Sequence, residues 1–179
     1  MGIDWKYLAS QVGGLEPDGT ERITGTDGGR RAIELLLGEE NIRDAVDCWA
    51  DERVGAFTAE IVLKIIRSTV AMERCYEIYK SESNTRRAGA SVFLLAEMAD
   101  SRVLPWLPEL LRDSSFSIRS CGLSALQMIL SGPLNDEGIE AAKKLLAHAE
   151  KDADERLRER AAEIRQRLAA DPSLGHLEL

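Results

Sequence analysis

Apolar residues recur along this chain every three or four positions in segments of about three turns, with a few polar residues between segments, and strand-like alternation with hairpin turns is absent. The pattern predicts an all-α protein. An opening helix, DWKYLASQV, starts at Asp4, whose carboxylate is suited to cap it. The Gly-, Thr- and Asp-rich stretch of residues 13–29 follows and is expected to form a loop or an ordered lid before helices resume at residue 30.

Two segments break the uniformity. In SRVLPWLPELLRD, residues 101–113, a helical wheel gathers Val103, Leu104, Leu107, Leu110 and Leu111 on one face and Pro105, Pro108, Glu109 and Arg112 on the other. Pro105 falls near the first turn, where a missing N–H costs little. Pro108 is expected to remove a hydrogen bond and bend the helix around its core. The next apolar helix upstream, RAGASVFLLAEMA, is hydrophobic nearly all round, as in a helix sandwiched between neighbours, and Gly89, Ala90 and Ser91 are expected to permit close approach.

An aspartate precedes an arginine by six positions at Asp47/Arg53, Asp113/Arg119 and Asp152/Arg158, each time between two apolar segments; at the remaining position Ser81 precedes Arg87. Successive arginines lie 34, 32 and 39 residues apart, the last interval stretched by SGPLNDEG. Periods in this range indicate stacked helical hairpins. DSRVLPWLPELLRDSSFSIRSCGLSAL combines a helix with an early proline, an aspartate in the turn, an Ile-Arg pair and a second helix rich in small residues. In this it resembles the HEAT-like repeats, including the version found in phycobilisome lyases. The resemblance is good over residues 82–130, fair to 168 and weak before 80. It implies a right-handed α-solenoid of about four to five hairpins, and a ladder of Asp113, Arg119, Asp152 and Arg158 between neighbouring repeats, broken at Ser81. The expected layout is one domain over 1–179: a helix-and-loop cap to 29, divergent repeats over 30–80, clear repeats over 81–170 and a tail over 171–179.

At 179 residues and 44% hydrophobic content the chain is long enough for a buried core. No apolar run reaches the ~20 residues that span a bilayer, and Asp4 and Lys6 interrupt any signal peptide, so neither membrane nor export is expected. Cys48, Cys75 and Cys121, odd in number and without CxxC spacing, are expected to be buried thiols in a reducing cytoplasm.

The net charge of −8 is unevenly placed: residues 1–60 hold 13 acids and 6 bases, residues 61–179 hold 18 and 17. Such a surface disfavours nucleic acid and favours a basic protein partner. In EENIRDAVDCWADE, Glu40, Asp44, Asp47 and Asp51 form an acidic stripe opposite Ile42, Ala45, Val46 and Trp49. Like charges at i,i+4 cost a helix a few tenths of a kcal/mol per pair, which favours a functional use. Asp47 has a rival role as partner to Arg53. Trp106, at the boundary of its wheel, is a second candidate contact.

No catalytic or metal constellation emerges. His148 and His176 stand apart from other ligands, and GTDGGRRA lacks the Lys-Ser/Thr of a phosphate loop. A non-catalytic, cofactor-free binding module is therefore expected, an immunity- or antitoxin-type inhibitor masking a basic toxin or nuclease domain. The alternatives are a HEAT-like DNA glycosylase, which needs a basic aromatic groove, and a bilin-lyase-like enzyme, which is at odds with an aromatic content of 5%.

Overall fold

The computed structural model describes residues 3–20, 22, 25–82 and 85–170. The described residues are all-α, with no strand among them. The chain packs as two compact units, residues 1–74 and 75–179.

The first unit contains α1 (Trp5–Gln11), α2 (Gly25–Leu37), α3 (Glu39–Ala50), α4 (Ala56–Ile66) and the first turns of α5 (Thr69–Ser81). Asp4 caps α1 by accepting from the Tyr7 N–H at 2.9 Å. Residues 13–20 form a turn in which Glu16 N–H donates to Thr20 and Gly19 N–H to Glu16, both at 2.9 Å. The helix after it begins at Gly25 rather than residue 30, so Gly28 and Gly29 lie inside its first turns. Gly38 alone joins α2 to α3, at φ +77, a conformation other residues adopt only with strain. α2 and α4 are tied by Arg30, whose Nε donates to the last-turn carbonyl of Ile65 at 3.1 Å.

The second unit continues α5 and adds α6 (Arg86–Met98), a 3-10 helix (Ser101–Trp106), α7 (Leu107–Leu110), α8 (Phe116–Leu130), α9 (Asp136–Ala149) and α10 (Glu155–Ala170). The helices pair as hairpins, 3-10/α7 with α8 and α9 with α10. Within the unit α6, α8 and α10 pack side by side in one layer, and the 3-10 helix packs on α9 in the other. Starts are set by side-chain caps: Thr85 accepts from Ala88 N–H at 3.0 Å, Asp100 from Arg102 N–H at 3.0 Å and Asn135 from Gly138 N–H at 2.9 Å. Val92, Leu94, Leu95, Leu107, Leu110, Leu123, Leu126 and Ile129 are fully buried between the layers, each worth about 1.5–3 kcal/mol of apolar burial.

Two expectations need correction. The segment 101–113 is not one bent helix: it runs as 3-10 through Pro105 and becomes α only at Leu107, so Pro108 sits in the first turn of α7, where its missing N–H is an orphan anyway. Gly89 does not mediate close approach, for a Cβ there would meet nothing within 4 Å. That role belongs to Gly122 on α8, whose added Cβ would lie 3.1 Å from the Leu110 Cβ and 3.4 Å from its backbone.

Candidate interaction surface

The geometry behind the six-residue Asp/Arg spacing is local. The Asp113 carboxylate accepts from Ser115 N–H at 2.7 Å and the Asp152 carboxylate from Asp154 N–H at 2.8 Å, closing the turn into the next helix. The arginine one turn into that helix then donates backwards. Arg119 reaches the carbonyls of Asp113 and Ser114 at 2.9 and 3.1 Å, and Arg158 those of Asp152 and Ala153 at 2.8 and 3.0 Å. Between repeats, Arg119 Nε and Nη2 donate to the two Asp152 oxygens at 2.8 and 3.2 Å. Burial works to raise the Asp152 carboxyl, but Arg119 and the Asp154 N–H hold it below the usual carboxylate range. Asp113 accepts instead from the Tyr79 hydroxyl at 2.9 Å.

Trp106 belongs to a neighbouring cluster. It is half-buried and stacks on Tyr76, centroids 4.7 Å apart and planes 8° from parallel, while the Tyr76 hydroxyl donates to Glu109 at 2.5 Å and Lys80 pairs with the same carboxylate. Burial and the Glu109 carboxylate push Tyr76 up to about 12. Burial and Asp113 push Tyr79 higher still. Lys80 and Tyr76 together hold Glu109 below its ordinary value.

In the first unit the acidic stripe divides by role. Asp47 is half-buried and accepts from Arg74 Nε at 3.2 Å and from its Nη2 at 2.9 and 3.1 Å. Arg53 therefore does not take Asp47; it donates to the Asp44 carboxylate and carbonyl, both at 2.9 Å, with Asp51 at 3.9 Å. Glu40, Asp44 and Asp51 are exposed. Trp49 is half-buried and meets the Phe57 ring edge-on at 6.1 Å.

Beside this stripe lies a surface that the reading of the sequence missed. Leu37 of α2, Asn41, Ile42 and Ala45 of α3, and Thr58 and Val62 of α4 line an open groove of about 370 Å³ with Leu63 and Ile66 at its floor. Next to it Phe57, Ile61 and Ile65, spaced i, i+4, i+8 along α4, stand 76%, 59% and 59% exposed, and Ile33 and Leu36 of α2 are exposed as well. The signal was present in AFTAEIVLKII: Glu60 and Lys64 give α4 one narrow charged edge, and the remaining circumference is too wide for a helix with one buried face.

The chemistry elsewhere is sparse. Among the described residues no cluster of His, Cys, Asp or Glu is placed to hold a metal ion, and no helix is long and apolar enough to cross a membrane. His148 is exposed, and His176, with the rest of 171–179, lies outside the described residues. Cys75 is buried, but Cys48 and Cys121 are only half-buried, because each lies on a helix flank that faces partly outward; burial still pushes the Cys121 thiol up. A second groove, about 340 Å³, is lined by Gln127, Arg156, Glu159, Arg160, Glu163 and Arg167 with Ile164. Its charge is mixed and none of these residues is aromatic.

The HEAT-repeat family matches residues 73–164, the part that carries the Arg119–Asp152 contact. The chain belongs to the HEAT-repeat family. Comparison with curated proteins and with solved structures finds no match. HEAT repeats point to a protein-interaction module, and in the first unit α2 and α4 both leave large apolar side chains exposed.

Proposed function

We propose that this HEAT-repeat protein is a non-catalytic binding module whose finer role is that of an immunity- or antitoxin-type inhibitor, masking a basic domain such as a toxin nuclease. The observation that carries it is the apolar surface left uncovered on two packed helices: Phe57, Ile61 and Ile65 in one row on α4, and Ile33, Leu36 and Leu37 exposed on α2. Contiguous apolar surface on a soluble unit is costly and marks interaction sites. The charge of the same unit supplies the partner's sign, since residues 39–53 carry six carboxylates against two guanidiniums. A domain that binds nucleic acid is basic over its active surface, and an acidic module with an apolar anchor is suited to block it.

The test begins with the tagged protein in its own host. A basic protein should copurify at low salt, and it should inhibit growth when expressed alone and cease to do so when co-expressed with this chain. Capture of a partner that is acidic, or whose own activity is unchanged by the complex, overturns the inhibitor reading. The exposed Glu40, Asp44 and Asp51 and the half-buried Trp106 are the polar and aromatic contacts to vary first.

A further inference from the structure

Resting on that reading, we infer that the groove between α2, α3 and α4 takes an amphipathic helix with an apolar stripe and flanking Lys or Arg side chains. Three observations specify this occupant. The groove is apolar and elongated: α4 is 11 residues, about 16 Å of helix, so three turns of a partner helix lie along it. Its α4 wall repeats at i, i+4, i+8 through Thr58, Val62 and Ile66, the spacing against which the ridges of a second helix pack, and the exposed Phe57, Ile61 and Ile65 form a separate row on the same helix.

The third observation is charge. At 3.6 residues per turn Asp44 lies about 60° around α3 from the groove-lining Asn41, and Glu40 about 100°. The exposed carboxylates thus follow directly on the α3 wall. Asp44 is engaged by Arg53, but both side chains are exposed, 71% and 44%, so solvent screens the pair and an incoming cation exchanges with it readily. A second copy of this chain would set its own Glu40, Asp44 and Asp51 against the same carboxylates. Like-charge juxtaposition of that kind selects against self-association and for a basic helix.

The probe is an 18-residue synthetic helix with leucines at i, i+4 and i+8 and lysines on the remaining faces. Its controls are the same peptide with glutamates for lysines and one with the leucine order scrambled. Anisotropy titrations against the full chain at low salt should give at least tenfold tighter binding for the lysine peptide than for either control. The double variant Ile61→Asn with Val62→Asn, both exposed positions, should lose at least tenfold with an unchanged melting temperature. Glu40→Lys with Asp44→Lys should weaken the lysine peptide and strengthen the glutamate one. Equal binding of the three peptides, or indifference to the Asn pair, overturns the proposal, and so does a concentration-dependent dimer that the Asn pair dissolves. If the copurifying basic protein still binds the Asn pair with full affinity, the groove assignment falls while the module reading stands. If neither it nor the peptides bind the wild type, both fall.

Discussion

Arg119 holds two repeats together from one side chain: its Nε and Nη2 grip Asp152 of the following repeat, while Nη1 donates to the Asp113 and Ser114 carbonyls of its own turn. Both partners of the ion pair are largely withdrawn from solvent, at 16% and 11% exposure. Arg119→Ala is expected to destabilise by about 1–3 kcal/mol, because it leaves a part-buried carboxylate and two turn carbonyls without their donor. Arg119→Lys should recover only a fraction of that, since an ammonium has no planar fork for both oxygens. Denaturant midpoints of the three proteins check the order.

The same contact sets an acid limit. The Asp152 carboxyl is held below its ordinary value in the folded chain. Its contribution is therefore complete above the unfolded value, near 3.8, and is lost as pH falls through the lower folded value. Asp152→Asn should flatten the loss of stability between about pH 5 and the acid transition. Melting temperatures taken down that range give the measurement, and an unchanged slope would assign acid unfolding to other carboxylates.

Tyr76 and Tyr79 titrate in the opposite sense. Burial and their carboxylate partners raise both above the ordinary 10.0, Tyr76 to about 12. Stability they confer is complete below pH 10 and declines as pH rises beyond it, because the unfolded chain sheds these protons first. An ultraviolet titration should show phenolate absorbance delayed past pH 11, and Tyr76→Phe and Tyr79→Phe should each remove amplitude from that late part of the curve.

The repeat phase was legible because its cause is local. An aspartate closing a turn and an arginine six residues on, donating back to that turn, form one local unit at Asp113/Arg119 and again at Asp152/Arg158, so that spacing survives in the letters alone. The same spacing at Asp47/Arg53 is not this unit, because Arg53 donates to Asp44. The contacts that locate the other functional candidates are not local. Asp47 meets Arg74 across 27 positions and Tyr76 meets Trp106 across 30, and neither pairing has a periodic echo. The apolar groove was hidden for a different reason. A pattern of apolar residues reports how much of a helix is hydrophobic but not how much of it the fold covers, and α4 has more apolar circumference than its neighbours bury.

Close packing of α7 on α8 gives a paired prediction. Gly122→Ala would place a methyl group 3.1 Å from Leu110 in a fully buried contact and is expected to cost about 1–3 kcal/mol. Gly89→Ala enters open space within α6 and should instead stabilise by up to about 1 kcal/mol through helix propensity. Thermal denaturation of the two single variants should move in opposite directions.

The acidic stripe of α3 offers the sharpest separation of structure from recognition, because its members differ in what holds them. Asp47 holds Arg74 through both oxygens at half-buried positions, so Asp47→Ala removes these charge-assisted hydrogen bonds from a part-buried guanidinium and should cost roughly 2 kcal/mol. Glu40 is exposed, and its removal should change stability by no more than about 0.5 kcal/mol. Reversal by Glu40→Lys with Asp44→Lys exchanges one like-charge i,i+4 pair for another, sets the second new lysine against Asp47 at i,i+3 and releases Arg53 from Asp44, small exposed effects of opposite sign, so the melting temperature should barely move. Affinity for a basic partner should fall at the same time, with the loss concentrated in the association rate and shrinking as salt is added, because the exposed carboxylates act through a screened field. Stopped-flow association at two ionic strengths checks this. An association rate within about twofold of wild type at low salt would leave Glu40 and Asp44 as a solvated face and place all recognition in the apolar row of α4.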